Sequence, residues 1–269
     1  MIKLTAKPLA KSVGSELRSY QKEVDAEPDF GRRVLLAADR FKQRNRLNNV
    51  TFQEIKKTLT EMCAGARRCM YCEDSVADEV EHHHPKNLYP EMVFAWSNYL
   101  YSCGPCNGPK NNRFAILDPD GELVEVIRPR GAPVVPPPPG SPALLHPRAD
   151  DPVEFITLDI KGGTFLFVPA GKEGTVEFVR AKYTIKELRL NVRDYLPAAR
   201  REAYHSYRSR LREYAAELEA GEPAVVLKRR VDALQRMGHP TVWYEMRRQQ
   251  AFIPDLATLF RRVPQALQW

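Results

Sequence analysis

Arg68-Cys-Met-Tyr-Cys-Glu73, Val80-Glu-His-His-His-Pro-Lys86, Trp96-Ser-Asn98 and Ser102-Cys-Gly-Pro-Cys-Asn-Gly-Pro-Lys110 follow one another within one short stretch of the chain. That stretch holds four of the five cysteines, Cys69, Cys72, Cys103 and Cys106, as two Cys-x-x-Cys pairs. Two residues between paired cysteines let both thiolates of a knuckle reach one ion, and two pairs supply the four soft ligands that Zn²⁺ takes in a tetrahedron. A secreted disulfide scaffold would instead spread its cysteines along a short chain. A structural Zn²⁺ on these four residues is therefore expected, the alternative being a redox Cys-x-x-Cys or plain core cysteines. Residues 73–102 separate the pairs and leave room for a functional insert. Cys63 is left over and reads as a small core residue on a helix.

Towards the N-terminus the pattern is helical. Leu17, Tyr20 and Val24 recur at spacings of three and four within residues 15–26, and Val34, Leu35, Ala38 and Phe41 do so within 30–47. Thr51 reads as an N-cap with Glu54 three residues on, as in a capping box. The helix that follows places Phe52, Ile55, Leu59 and Met62 on one face. Residues 1–62 are thus expected to be a helical region ahead of a metal-centred core at 63–116.

Beyond the core, Asp118-Pro-Asp-Gly signals a turn and residues 123–127 a short strand. The proline run between Pro129 and Pro142 removes donors and favours an extended backbone, so 117–150 reads as an exposed Pro-rich linker. A stiff connector and a proline-recognition motif are both open readings of it. Residues 151–269 read as mixed β and then helical. Strands are expected at 155–159 and 164–168 around Lys161-Gly-Gly, and a third at 176–179. A long helical region is expected from Thr184 through Glu219, then helices at 224–237, 241–249 and 254–260. Within it Arg200, Arg201, Arg208, Arg210 and Arg212 alternate with Tyr204 and Tyr207. An amphipathic helix with a solvated face explains this, and a surface that tracks a nucleic-acid backbone is the alternative. Asn191 and Arg193 read as caps, Trp243 as core behind a turn at His239, and His146 and His205 carry no assigned role.

The 269 residues are 43% hydrophobic and carry a net charge of +7. That suffices for a core, and the basic balance suits polyanionic partners such as nucleic acid as well as plain solubility. No apolar run approaches the roughly 18 residues of a membrane helix. No signal-peptide core is present at residues 1–8. A soluble, cytoplasmic protein with no membrane partner is expected.

The insert carries the chemistry. Glu81 and His82 are adjacent, Pro85 follows, Asn98 precedes the second knuckle, and Asn107 directly follows its last cysteine. This ordered set, from Cys69 to about Phe114, resembles the HNH endonuclease family, whose active site is a ββα-metal unit. Tyr71, Glu73, Tyr89, Pro90, Trp96 and Lys110 resemble one branch, the nuclease subunit of Septu-type anti-phage defence systems. The resemblance implies an α+β fold with a ββα-metal core and helical extensions. It also implies hydrolysis of phosphodiester bonds in DNA and an ABC-type ATPase partner.

On that resemblance, Glu81 is a ligand of a catalytic Mg²⁺ or Mn²⁺ and Asn107 is the second ligand. His82 is the general base, and Asn98 holds the loop and orients the histidine. The residue types suit the chemistry. A hard divalent ion takes carboxylate and amide oxygens, and an imidazole can take a proton from water near neutrality. Consecutive residues on a strand alternate faces, so His82 and His84 are expected to point one way and His83 the other. His83 and His84 are left between lining the groove, contacting phosphate and binding a transition metal. Lys86, Lys110 and Arg113 flank the site, either as phosphate contacts or as ordinary surface charges. Two rival functions stand beside DNA cleavage: cleavage of RNA such as a transfer RNA, and a non-catalytic zinc-knuckle binding module. The latter needs the cysteines but not Glu81, His82 and Asn107.

Overall fold

The computed structural model describes residues 1–269. Three helices open the chain: α1 (Lys11–Asp25), α2 (Phe30–Arg44) and α3 (Val50–Met62). In α1 the buried residues Val13, Leu17, Tyr20 and Val24 form the stripe that three-and-four spacing produces. Asp29 caps α2 by accepting the Arg32 amide at 2.8 Å. The third helix begins earlier than the Thr51 capping box predicts, because Asn49 accepts the Phe52 amide at 3.2 Å and takes the capping place. Its face of Phe52, Ile55, Leu59 and Met62 is buried as expected.

Strands β1 (Glu79–His82) and β2 (Tyr99–Ser102) pair antiparallel, with Glu81 opposite Leu100 and Glu79 opposite Ser102. Helix α4 (Gly104–Lys110) follows β2 at once, starts on Cys103 and packs on β1. A second small sheet has the order β4-β3-β5, with β3 (Ala115–Leu117), β4 (Leu123–Glu125) and β5 (Ser141–Pro142). Between β4 and β5 the Pro-rich segment runs mostly exposed without regular structure. Arg128 ties it down, donating to the Asn87 and Val135 carbonyls.

After the short helix α5 (Pro152–Phe155), β6 (Ile156–Leu158) and β7 (Phe167–Pro169) form a third sheet. Five longer helices close the chain: α6 (Val176–Glu187), α7 (Tyr195–Glu219), α8 (Ala224–Gln235), α9 (Pro240–Gln249) and α10 (Pro254–Arg262). The expected strand at 176–179 is thus the first turn of α6. Thr175 caps the Phe178 amide at 3.3 Å, and that local bond outweighs the β-branched character of the run. Thr184 does not start a helix either. It lies inside α6, buried, with its hydroxyl accepting the Leu145 amide at 2.9 Å. The chain breaks between α6 and α7, where Arg189 takes a left-handed φ of 51°.

The expected caps Asn191 and Arg193 have other partners. Asn191 brackets Phe167 through that residue's amide and carbonyl, and Asp194 caps α7. In α7, Tyr204 and Tyr207 are buried, as is Arg200, which donates to the Phe165 and Leu190 carbonyls. Trp243 is in the core as expected. One continuous apolar cluster draws on every part of the chain, from Val13 and Phe52 through Tyr71 and Leu100 to Leu211 and Phe260. No helix is long and apolar enough to cross a membrane.

Candidate active site

The four cysteines of the two knuckles converge. Their sulfurs all lie within 4.8 Å of one another and all four residues are buried. Soft thiolates at this spacing fit a structural metal such as zinc. Packed this closely, the four sulfurs pull apart in acidity: the Cys103 thiol, 3.8 Å away, holds the Cys72 thiol down, while burial pushes the Cys69 thiol up. A deprotonated sulfur is the form that binds metal. Arg193 donates to the Cys106 sulfur at 3.3 Å, so a residue from the far side of the α6–α7 break reaches the four-cysteine cluster.

The knuckles also place the side chains of the insert. Tyr71, between Cys69 and Cys72, donates its hydroxyl to Glu81 Oε2 at 2.9 Å. Lys110, the last residue of α4, forms an ion pair with Glu81 Oε1 and donates to the His82 carbonyl at 2.8 Å. Both side chains of that pair are 1% exposed. The expectation that Lys110 grips a phosphate therefore meets a different placement, because its charge is buried against Glu81. Breaking a buried pair from one side leaves an uncompensated charge, at a cost of about 3–5 kcal/mol. Lys110→Met is expected to destabilise the protein by that amount in urea unfolding, and Lys110→Met with Glu81→Gln to recover most of it. A single variant as stable as wild type would remove the pair from the account.

A cleft of about 240 Å³ opens beside these residues. Glu79, Glu81, His82, Lys86 and Asn107 line it. Glu79 was not picked out from the sequence, yet it sits two residues before Glu81 on β1 and so shares its face. It accepts the side-chain amide of Asn107. Because Nδ2 is the donating atom, the Asn107 oxygen is left free for another partner. Strand alternation alone could have flagged Glu79.

His82 also lines the cleft but is itself buried. Its ring packs edge-on against Phe41 at 4.4 Å and Tyr99 at 5.2 Å, and Nε2 lies 2.9 Å from the Val93 carbonyl. A carbonyl only accepts, so Nε2 carries the proton and Nδ1 keeps the lone pair. Burial, with Lys86 nearby, pushes His82 down to about 3, which keeps the ring neutral. The N-terminal helices hold this arrangement. Gln21 of α1 brackets the loop through the Phe94 amide and Pro90 carbonyl. Asn98, 1% exposed, holds the same loop by bonding the His84 amide and the His84 and Met92 carbonyls. Lys86 sits half-buried over the Phe41 ring, whereas Arg113 is 70% exposed and pairs with Glu187 at 3.6 Å.

The expected alternation of the histidines stops at His82, where β1 ends. His83 and His84 share one side, around Phe114. His146, given no role from sequence, lies against His83 with ring centroids 4.5 Å apart. Its Nε2 donates to the Ser97 carbonyl and its Nδ1 accepts the Arg148 amide, which fixes a neutral ring. Burial pushes it down to about 4. The folded-state value lies below the unfolded one, so His146 stabilises fully above about pH 6.5, and this is lost as pH falls towards about 4. Between about pH 7.5 and about pH 5, wild type is expected to lose about 2 kcal/mol more stability than His146→Gln. Parallel losses in urea titrations of the two proteins would count against it.

Over 70 residues the chain is 41% identical to the Septu protein PtuB of Bacillus thuringiensis, a match that covers 24% of this chain and 26% of that relative. The similarity supports a Septu-related family, and it spans about a quarter of the relative's length. No protein-family model matches the chain. No solved structure matches it.

Proposed function

We propose that this protein is an HNH-type endonuclease that hydrolyses phosphodiester bonds in DNA and serves as an effector of a Septu-like anti-phage defence system. The observation that carries the reading is the meeting of Glu81, His82 and Asn107 in one cleft beside a four-cysteine centre. A binding module built on a zinc knuckle has no need of a neutral buried histidine next to a carboxylate and a free amide oxygen. The succession β1, β2, α4, with Cys103 and Cys106 at its helical end, supports a ββα-metal core. The partial likeness to PtuB supports the defence role, and with it an ABC-type ATPase as the partner.

In this reading the four cysteines hold structural Zn²⁺. The cleft's carboxylate and amide oxygens suit a hard divalent cation, Mg²⁺ or Mn²⁺, with Glu81 and Asn107 as its ligands and Glu79 beside them. Such an ion supplies positive charge where the phosphate gains negative charge during attack. The chain's own residues do the rest. His82 Nδ1 takes the proton of the attacking water, while the Val93 carbonyl holds Nε2–H and the ring's orientation. Lys86 offers a cation to the phosphate at the cleft mouth. Lys110 neutralises Glu81 from beneath and keeps α4 in register with β1. Asn98 keeps the 83–92 loop from moving the histidine.

The test is cleavage of plasmid DNA and of total RNA with Mg²⁺ or Mn²⁺, by wild type beside His82→Ala, with and without the co-expressed ATPase. Cutting of DNA by wild type alone supports the reading, and cutting of RNA alone moves the substrate to RNA. Equal cutting by both proteins rejects the site.

A further inference from the structure

A second groove, of about 740 Å³, opens next to the cleft and shares Gly108, Asn111 and Asn112 with it. A volume of this size suits a small-molecule or single-nucleotide ligand. Its lining is unevenly charged. Arg113 and Lys186 stand at the rim, with side chains 70% and 68% exposed. Glu187, at the end of α6, also lines the groove but is only 5% exposed. The Oε2 atom of Glu187 is buried and accepts no hydrogen bond. The cations nearest to this carboxylate, Arg113 and Lys186, are each 3.6 Å away, too far for a hydrogen bond. A buried carboxylate without donors is costly unless a ligand supplies them.

We infer that this groove is a base-recognition site in which Glu187 reads an unpaired guanine flanking the scissile phosphate, an inference that rests on the nuclease reading above. The chemistry selects the base. A carboxylate presents two acceptors side by side, and the Watson–Crick edge of guanine presents two donors side by side, N1–H and an N2 hydrogen. Thymine and uracil offer one N–H between two carbonyls that repel the carboxylate. Unpaired bases are read on this edge when they leave the stack. The rim cations Arg113 and Lys186 are long-reaching and solvent-screened, so they can turn from Glu187 to the flanking phosphates. The groove thereby names the substrate as a strand with an unpaired guanine next to the cut, in either DNA or RNA.

The experiment measures equilibrium binding of dye-labelled single-stranded oligonucleotides to the full chain, without added divalent ion, by fluorescence anisotropy. One central position is guanine, inosine or thymine, in DNA and RNA versions. Guanine is expected to bind about ten-fold tighter than inosine, which lacks the N2 amine, and tighter still than thymine. Glu187→Gln replaces one acceptor by a donor at constant volume and is expected to erase the preference. Arg113→Ala is expected to weaken all three oligonucleotides equally and to leave the ranking intact. Equal binding of the three bases by wild type, or a preference that survives Glu187→Gln, overturns the assignment, and the first comparison needs no variant to fold. The same ranking in DNA and RNA leaves guanine as the ligand, and a ranking in one alone names the polymer. Cleavage lost with His82→Ala but no base preference would reject this groove and keep the nuclease. A guanine preference without any cleavage would do the reverse.

Discussion

His82→Ala is expected to slow phosphodiester cleavage by about a hundred- to ten-thousand-fold, the range that a positioned general acid or base contributes. The structure explains why no neighbour can take over. His83 spends Nε2 on the Leu144 carbonyl and lies on the Phe114 side, and His84 lies with it, away from the cleft. Glu81 faces Tyr71 and Lys110 and is not free to act as a base. Truncation also removes a buried ring from between Phe41 and Tyr99, at a stability cost of about 2–4 kcal/mol by analogy with large-to-small core changes. Rates are therefore compared well below the melting temperature of the variant. The cavity gives a second readout, because added imidazole should enter it and restore part of the rate. A variant that cuts as fast as wild type, or that is silent but regains nothing with imidazole while fully folded, would argue against a proton-transfer role.

Local patterns were legible in the sequence, and charges that meet across the fold were not. The stripes of α1 and α3 and the four-cysteine centre follow from spacing, since a periodic apolar face or a paired thiol knuckle is specified by near neighbours. Sequence alone does not place the start of α3, because Asn49 and Thr51 are both good caps and only the side chain that reaches an amide decides between them. Residues 176–179 mislead for a related reason. Four residues with two valines fit a strand until Thr175 is seen to cap them. Lys110 looked like a surface cation because nothing in Cys-Asn-Gly-Pro-Lys reveals that α4 folds its last side chain under β1. Arg193 and Arg200 were likewise placed by partners far away in sequence, the Cys106 sulfur and the Phe165 carbonyl. Glu79 was within reach. A strand through Glu81 puts Glu79 on the same face.

Cys106→Ser is expected to remove bound zinc and to leave the chain without a cooperative melt. Structural zinc contributes roughly 10–16 kcal/mol in small domains, while a folded domain has about 5–15 kcal/mol in total. Losing one of four ligands is thus comparable to the whole margin. The remaining sulfurs would stay crowded and buried, and the Arg193 guanidinium would lose the sulfur it donates to at 3.3 Å. The damage does not stop at the metal. The first knuckle carries Tyr71 and the second carries α4 with Asn107 and Lys110, so both partners of Glu81 and the amide of the cleft depend on it. Cys106→Ser and His82→Ala should therefore both be silent in cleavage but differ in everything else. His82→Ala keeps its zinc and its near-ultraviolet dichroism, and Cys106→Ser loses both. Arg193→Gln should fall between them, folded and zinc-loaded but quicker to release the metal to a chelator. A Cys106→Ser protein that melts like wild type without metal would mean that apolar packing alone holds the knuckles. The cleft would then owe its geometry to the surrounding helices instead of the ion.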